Sequence, residues 1–376
     1  MKKLDVYVEE LLLHADIKIG GDRPQDIQVH NDGLYGRVLK DRELGLGEAY
    51  MDGWWSSKRP DDTITRILTA DLGSKVRLSP SVIASGTASV VKSAVTNRQS
   101  VKNARKNAQH HYNIGNDLYE LMLDKRMIYS CGYWKKAKTL DQAQTDKLDL
   151  ICRKLDLKKG MTLLDIGCGW GGFSEYAAKE YGGIVTGISP AEEQVKLAKA
   201  RTKGLKVTIQ QKDYRHMTGQ FDRIVSIGML EHVGVKNYPE FYRVCKKLLK
   251  PGGVMLHHTI GANHSYNVNE AKWIDKYIFP GGMIPTLSEL VGPAEDMFTM
   301  EDVQNFGPDY DKTLMAWHAK FVKNYPKISD TYDEQFYRMW EYYLLMFAAG
   351  FRSRGLQLYQ VVMRNVEVSD RYDSPR

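Results

Sequence analysis

At 376 residues the chain is long enough for a large core and for more than one domain. Its hydrophobic content of 43% and charged content of 26% are those of a globular protein. The N-terminus mixes Asp5, Glu9 and Glu10 into its apolar residues and so does not read as a signal peptide, and the longest apolar run, Tyr342 to Phe351, is too short to span a bilayer.

Residues 1–71 mix short strand-like and helical pieces, among them Ile27-Gln28-Val29-His30 and the run from Leu44 to Trp55. From Leu72 to Ala108 the composition shifts: Ser, Thr, Ala, Lys and Gln rise while aromatic and acidic residues vanish, which marks a linker with Pro80 and Gly86 as interruptions. Between Gly73 and Asn116 there are seven basic residues and no acidic one, a number equal to the whole net charge of +7. Such a segment can rest on an anionic lipid surface or be a solvated linker face. It lacks the interleaved aromatics of a single-strand nucleic-acid platform and matches no DNA-reading module, so nucleic acid is not expected as a partner.

The remainder, residues 109–376, alternates strands with helices as βαβ units. Strands are expected at Thr162 to Ile166, Ile184 to Ser189, Val207 to Gln210, Asp222 to Ile227 and Val254 to His258, with a last one at Gly355 to Val362. Helices are expected to Tyr181, from Ala191 to Lys203 and from Tyr238 to Leu249; the last stops at Lys250-Pro251-Gly252-Gly253. The expected result is an open doubly wound sheet with its ligand crevice at the carboxyl ends of the first and fourth strands.

That crevice begins with Leu164-Asp165-Ile166-Gly167-Cys168-Gly169-Trp170-Gly171-Gly172, a buried strand entering a glycine-rich turn that opens a helix. Glycines there let a nucleotide-like ligand lie against bare backbone. The spacing of Gly167, Gly169 and Gly172 formally satisfies the dinucleotide fingerprint, but the next strand ends Thr186-Gly187-Ile188-Ser189, without the ribose-binding acid that a nicotinamide site wants. The acid precedes the turn instead, at Asp165, an arrangement similar to the first motif of S-adenosylmethionine-dependent methyltransferases.

Other residues at the strand ends are Asp213-Tyr214-Arg215, Glu231-His232 and His257-His258. Adjacent histidines on a strand point to opposite faces, and no His-Glu-x-x-His pattern occurs, so no metal site is expected. On spacing alone Cys131 is a small buried residue or a nucleophile, and its three companions Cys152, Cys168 and Cys245 have neither disulfide nor metal spacing. Phe336, Trp340, Tyr343 and Phe347 form a stripe at helical spacing, more in the manner of a core than of a substrate wall; Trp54 and Trp55 suit packing better than lipid insertion.

Taken together the segments resemble the bacterial cyclopropane-fatty-acyl-phospholipid synthases, relatives of the mycolic acid cyclopropane synthases. The resemblance covers nearly the whole chain. It rests on Asp26 to Asn31, Leu44 to Trp55, Tyr112 to Leu118, Tyr129 to Trp134, Leu164 to Gly172, His258 to Gly261, Lys276 to Pro280, Asn305 to Asp311 with Leu314 to Trp317, and Gln357 to Val362. It implies an α/β architecture: a Rossmann-like class I methyltransferase fold with a mostly parallel doubly wound sheet, at 109–376, a smaller α+β N-terminal lipid-associated domain at 1–71 and the basic linker at 72–108.

The implied reaction is methylene transfer from S-adenosylmethionine to the cis double bond of an acyl chain on a phospholipid. An alkene is a feeble nucleophile, so the sulfonium methyl must be held close and in line. The carbocation that follows demands a dry site, walled by aromatic faces such as Tyr129, Tyr133, Trp134, Tyr310 and Trp317. A base must then take a proton from the new methyl so that the ring closes. The resemblance makes bound bicarbonate that base, held by Cys131, Glu231, His258, Tyr310 and the backbone of Ile260. For S-adenosylmethionine it implies Tyr129, Ser130, Asp165, Gly167, Gly169, Ser189, Gln194, Tyr214 and Arg215. It further implies a homodimer in the cytoplasm, docked peripherally on the inner face of the membrane. Two other readings stay open: a lipid C-methyltransferase that leaves a methyl or methylene branch, and a lipid-binding protein with a vestigial methyltransferase domain.

Overall fold

The structure is a computed structural model that describes residues 2–75, 115–264, 272–365 and 369–376. Most of the basic segment, including Arg77, Lys92, Arg98, Lys102, Arg105 and Lys106, lies outside the described residues, as do His110, His111 and Tyr112. The chain divides into two compact units, the first of Met1–Asn97, Tyr266–Pro280 and Leu314–Leu356, the second of Arg98–Ser265, Gly281–Thr313 and Gln357–Arg376.

In the first unit β1 (Gln28–Val29) pairs antiparallel with β2 (Trp55–Ser56). The apolar run in the sequence before Phe351 becomes the second half of helix Glu334–Arg352, which packs against helices Gly33–Met51 and Pro60–Thr69. The aromatic stripe is core: Phe336 stacks on Trp340 with ring centroids 5.9 Å apart, and Trp340 meets Tyr343 at 5.1 Å. Trp55 is fully buried and donates its indole N–H to Leu46 O at 3.0 Å, so it is a packing residue. Buried carboxylates are paired: Asp61 binds Arg352 at 2.7 Å, and Glu341 accepts from Tyr50 at 2.7 Å and from His318 and Tyr337 at 3.2 Å each.

The second unit is built on a seven-stranded sheet. Its strands are β3 (Thr162–Ile166), β4 (Ile184–Ser189), β5 (Val207–Gln211), β6 (Phe221–Ile227), β7 (Leu249–Ala262), β8 (Phe298–Asn305) and β9 (Leu356–Asn365), in the spatial order β5-β4-β3-β6-β7-β9-β8. The first five run parallel and β8 runs antiparallel to β9. Strands covered on both faces can be apolar throughout, and adjacent residues serve opposite layers. Leu164, Ile166 and Met255 pack with Phe241 and Tyr242 of helix Tyr238–Leu248, whereas Leu163, Val225 and Leu256 pack with Leu148 and Ile151 of helix Leu140–Lys154.

Three strands differ from expectation: β9 runs on past Val362 to Asn365, and β7 and β8 depart further. β7 is longer than Val254 to His258, because Leu249 already pairs with Phe221 before Lys250-Pro251-Gly252-Gly253 interrupt the register. β8 was absent from the sequence reading. Among the described residues it is an edge strand paired only with β9, and its exposed positions are Thr299, Val303 and Asn305.

Candidate active site

A cleft opens where β3, β4 and β6 end, with about 1250 Å³ of space including its open mouth. Gly167 turns the chain out of β3 with φ +86°, and a Cβ there would lie 2.9 Å from Met229 Cγ, so both conformation and space require glycine. The Gly167 and Cys168 amides each donate to Ile188 O at 2.9 Å, which fastens the turn to β4. Gly172 opens the following helix so close to Arg126 O that a Cβ would come within 2.5 Å. That approach brings Met127, Ile128, Tyr129 and Ser130 to the cleft wall.

The polar lining is organised around buried groups. Asp165 accepts from Ser174 Oγ at 2.7 Å, and burial pushes its carboxyl up to about 7 against the opposing pull of Ser174 and Lys147. Lys147 is fully buried and donates to Ser130 Oγ at 2.8 Å; burial pulls its ammonium down to about 8. Ser189 Oγ donates to Gln194 Oε1 at 2.9 Å and accepts from Ala191 N at 3.2 Å. Arg215 forks onto Asp213 at 2.8 and 2.7 Å, and its guanidinium lies 5.2 Å from the centroid of the Tyr214 ring.

A second group is held by the neighbouring strand end and by the opening turns of helix Pro308–Asn324. Glu231 Oε1 accepts from Ile260 N at 2.8 Å, while its Oε2 is buried with no hydrogen-bond partner among the described residues. His258 pairs across the sheet with Ile227, Gln360 Nε2 lies 3.3 Å from its Nδ1, and its Nε2 is buried with no hydrogen-bond partner among the described residues. A Gln360 N–H donated to Nδ1 leaves the ring proton on Nε2. Thr313 Oγ1 accepts from Gly132 N at 3.0 Å and from Trp134 Nε1 at 2.9 Å, and Asp309 accepts from Trp134 N at 2.7 Å, which fixes the segment around Cys131. Burial raises the Cys131 thiol well above its usual value and raises Glu231; it holds His258 well below the usual imidazole range, aided by Lys147 and Lys154. The Cys131 thiol and the His258 imidazole therefore favour their neutral forms. His257, on the opposite face, is packed among Phe241 and Tyr242 in the core.

Tyr129, Ser130, Asp165, Gly167, Gly169, Ser189, Gln194, Tyr214 and Arg215 all line the cleft. Of the remaining candidates, Glu231 and Ile260 are in direct contact, Cys131 lies beside Thr313, and Tyr310 is buried in the same helical turn as Asp309. The Ile260 amide, expected to face an anion, donates to Glu231 here. Trp317 belongs to the first unit and is fully buried. Among the described residues no cluster of His, Cys, Asp and Glu can hold a metal, and the four cysteines are buried and unpaired. The sequence reading missed Lys147, Gln144, Thr313 and Gln360. For the first two a signal existed: both fall on the apolar stripe of helix Leu140–Lys154, beside Ala143, Leu148 and Ile151.

A mostly parallel doubly wound sheet, with a glycine turn leading into a cleft that ends in an acid-bearing strand, defines the class I fold of S-adenosylmethionine-dependent methyltransferases. The chain belongs to the mycolic acid cyclopropane synthetase family, whose model matches residues 99–361. It is 48% identical over 359 residues to the cyclopropane-fatty-acyl-phospholipid synthase of Escherichia coli strain K12, covering 95% of this chain and 93% of that one. It is 32% identical to the tuberculostearic acid methyltransferase of Mycobacterium tuberculosis, over 90% of this chain and 83% of that one. The mycolic acid cyclopropane synthase CmaA1, solved in complex with SAH and CTAB, superposes with a TM-score of 0.66 at 32% identity, covering 69% of this chain and 98% of that one. Among the described residues no helix is long and apolar enough to cross a membrane.

Proposed function

We propose that the protein transfers a methylene group from S-adenosylmethionine to the cis double bond of unsaturated phospholipid acyl chains, forming a cyclopropane ring. The observation that carries this reading is two buried polar atoms without hydrogen-bond partners among the described residues, Glu231 Oε2 in the short helix after β6 and His258 Nε2 on the adjoining β7. Buried polar groups are ordinarily satisfied. With Cys131 as the thiol and His258 as the neutral imidazole, their S–H and N–H groups suit a small oxyanion, with Tyr310 as a further donor and Glu231 fastened to the Ile260 amide beside them. A protonated thiol cannot take a proton, and burial makes His258 a weak base, so we assign the proton that must leave the new methyl to a base from outside the chain. S-adenosylmethionine supplies the electrophilic methyl and bicarbonate supplies that base.

The chain's own residues position and protect. Asp165, Ser189, Gln194, Tyr214 and Arg215 hold the cofactor at the strand ends, with Gly167 and Gly169 leaving room for it. Tyr129 meets Tyr119 at 5.1 Å and Tyr133 meets Phe306 at 5.3 Å, so aromatic faces shield the carbocation on the acyl chain from water. The contiguous division into 1–71, 72–108 and 109–376 belongs to the same proposal. The first segment and the basic linker dock the protein on the inner face of the membrane, as a homodimer, while the cofactor arrives from the cytoplasm.

The test is mass spectrometry of acyl chains after incubation with S-adenosylmethionine and anionic vesicles of unsaturated phospholipid. A gain of one CH2 with loss of the alkene is expected. A gain of CH2 with the alkene retained would establish the branching C-methyltransferase instead, and no mass change would refute both.

A further inference from the structure

Helix Leu140–Lys154 turns one stripe of side chains into the core of the second unit, and Lys147 lies on that stripe with none of its surface exposed. A buried ammonium is normally matched by a carboxylate. Lys154, at the end of the same helix, has Asp302 at 2.9 Å; Lys147 has no carboxylate at ion-pair distance among the described residues, and its Nζ donates to Ser130 Oγ. A neutral donor would serve Ser130 as well, without the desolvation. The charge therefore calls for a function.

Its surroundings indicate one. Lys147 forms part of the cleft wall. The titratable groups that feel it come from separate elements: Asp124 before the Met127–Ser130 wall, Cys131 after it, Asp165 at the end of β3 and His258 on β7. Lys147 touches Ser130, which lines the cofactor cleft and directly precedes Cys131 in the chain. The Cys131 and His258 donors can hydrogen-bond to an anion but contribute no net positive charge, while Asp309 adds negative potential at Cys131. A desolvated oxyanion there needs a cation nearby.

We infer that Lys147 is a positioning residue: its buried ammonium holds Ser130 at the cofactor cleft and supplies the positive potential that draws a small oxyanion toward Cys131 and His258. The inference rests on the bicarbonate reading above.

The experiment follows initial rates with the full chain, unsaturated phospholipid vesicles and saturating S-adenosylmethionine, in CO2-free buffer at neutral pH with bicarbonate added back. Lys147→Met should need at least about tenfold more bicarbonate for half-maximal rate, and Lys147→Arg, which keeps the charge, should stay within about threefold of wild type. S-adenosylhomocysteine binding, read by calorimetry, should persist in both and so report an intact fold, and it should be weaker in Lys147→Met, which loses the donor to Ser130 at the cofactor cleft, than in Lys147→Arg. Wild-type rates indifferent to bicarbonate would overturn the bicarbonate reading and this inference with it. A bicarbonate-dependent wild type matched by an unchanged half-saturation in Lys147→Met would overturn the inference alone. Should Lys147→Met fail to bind S-adenosylhomocysteine, the wild type decides. Its half-saturating bicarbonate should rise about tenfold between pH 7 and pH 9, as an ammonium pulled down to about 8 loses its proton; no rise refutes the role.

Discussion

Asp165→Asn should make the protein gain stability relative to wild type as pH rises from 4.5 to 7.5. Burial lifts the Asp165 carboxyl to about 7 in the folded chain, against about 3.9 when unfolded. Between those values the folded state holds the proton more tightly than the unfolded state, so this group's contribution falls as pH rises. At about 1.4 kcal/mol per unit, integration from pH 4.5 to 7.5 gives a loss of about 3 kcal/mol in wild type. Asn keeps the shape and can still accept from Ser174, but it does not titrate, so it escapes the loss. Any fixed offset from the substitution cancels, because the observable is the change in the stability difference with pH. Lys147, pulled down to about 8, stays largely protonated over this window. Urea denaturation at pH 4.5, 6 and 7.5, with equal slopes for the two proteins, reads the difference directly. A stability difference that stays constant within about 0.5 kcal/mol would mean that Asp165 ionises in the fold as it does in water, and the argument from burial would fail. Loss of S-adenosylhomocysteine binding in the same variant would show that the carboxylate is kept, at a cost in stability, for the cofactor.

Thr313→Val removes the acceptor shared by Gly132 N and Trp134 Nε1; it should cost about 2–3 kcal/mol in urea titrations and lower turnover more than cofactor affinity. A loss under about 0.5 kcal/mol would mean that water replaces the hydroxyl. Glu231→Ala strips Ile260 N of its acceptor; it should cost about 1–3 kcal/mol and reduce turnover, and wild-type turnover would remove Glu231 from the mechanism. All four thiols are buried, with Cys131 raised well above its usual value, so native protein at pH 8 should resist iodoacetamide until denatured; stoichiometric labelling of Cys131 would refute the protonated, enclosed thiol.

How much of this was readable beforehand depended on where each constraint comes from. Thr162–Ile166 and Ile184–Ser189 emerged with their observed limits because strands buried on both faces are apolar runs closed by glycine or proline, a local signal. β8, with Glu301, Asp302 and Gln304 on an edge paired on one side only, has neither an apolar run nor a clean alternation, and stayed hidden. The first unit was equally opaque, since it joins residues near Tyr50 to Glu341, 291 positions away, and nothing local announces such a pairing.

The cleft and the donor group divide along the same line. Gly167, Asp165 and Ser189 sit at strand ends that periodicity and turn residues locate, so the cofactor wall could be drawn from the chain. Cys131 meets Thr313 across 182 positions and Glu231 meets Ile260 across 29, so these residues entered through family resemblance and not through spacing. Their protonation could not be read from the sequence at all. Burial, helped by Asp309 at Cys131 and by Lys147 and Lys154 at His258, turns a thiol and an imidazole toward the uncharged state, and it places a lysine on an apolar stripe where its charge is felt. A lysine at a core position of an amphipathic helix is thus a stronger functional signal than its residue class suggests, because among the described residues the fold bears its desolvation without a carboxylate at ion-pair distance.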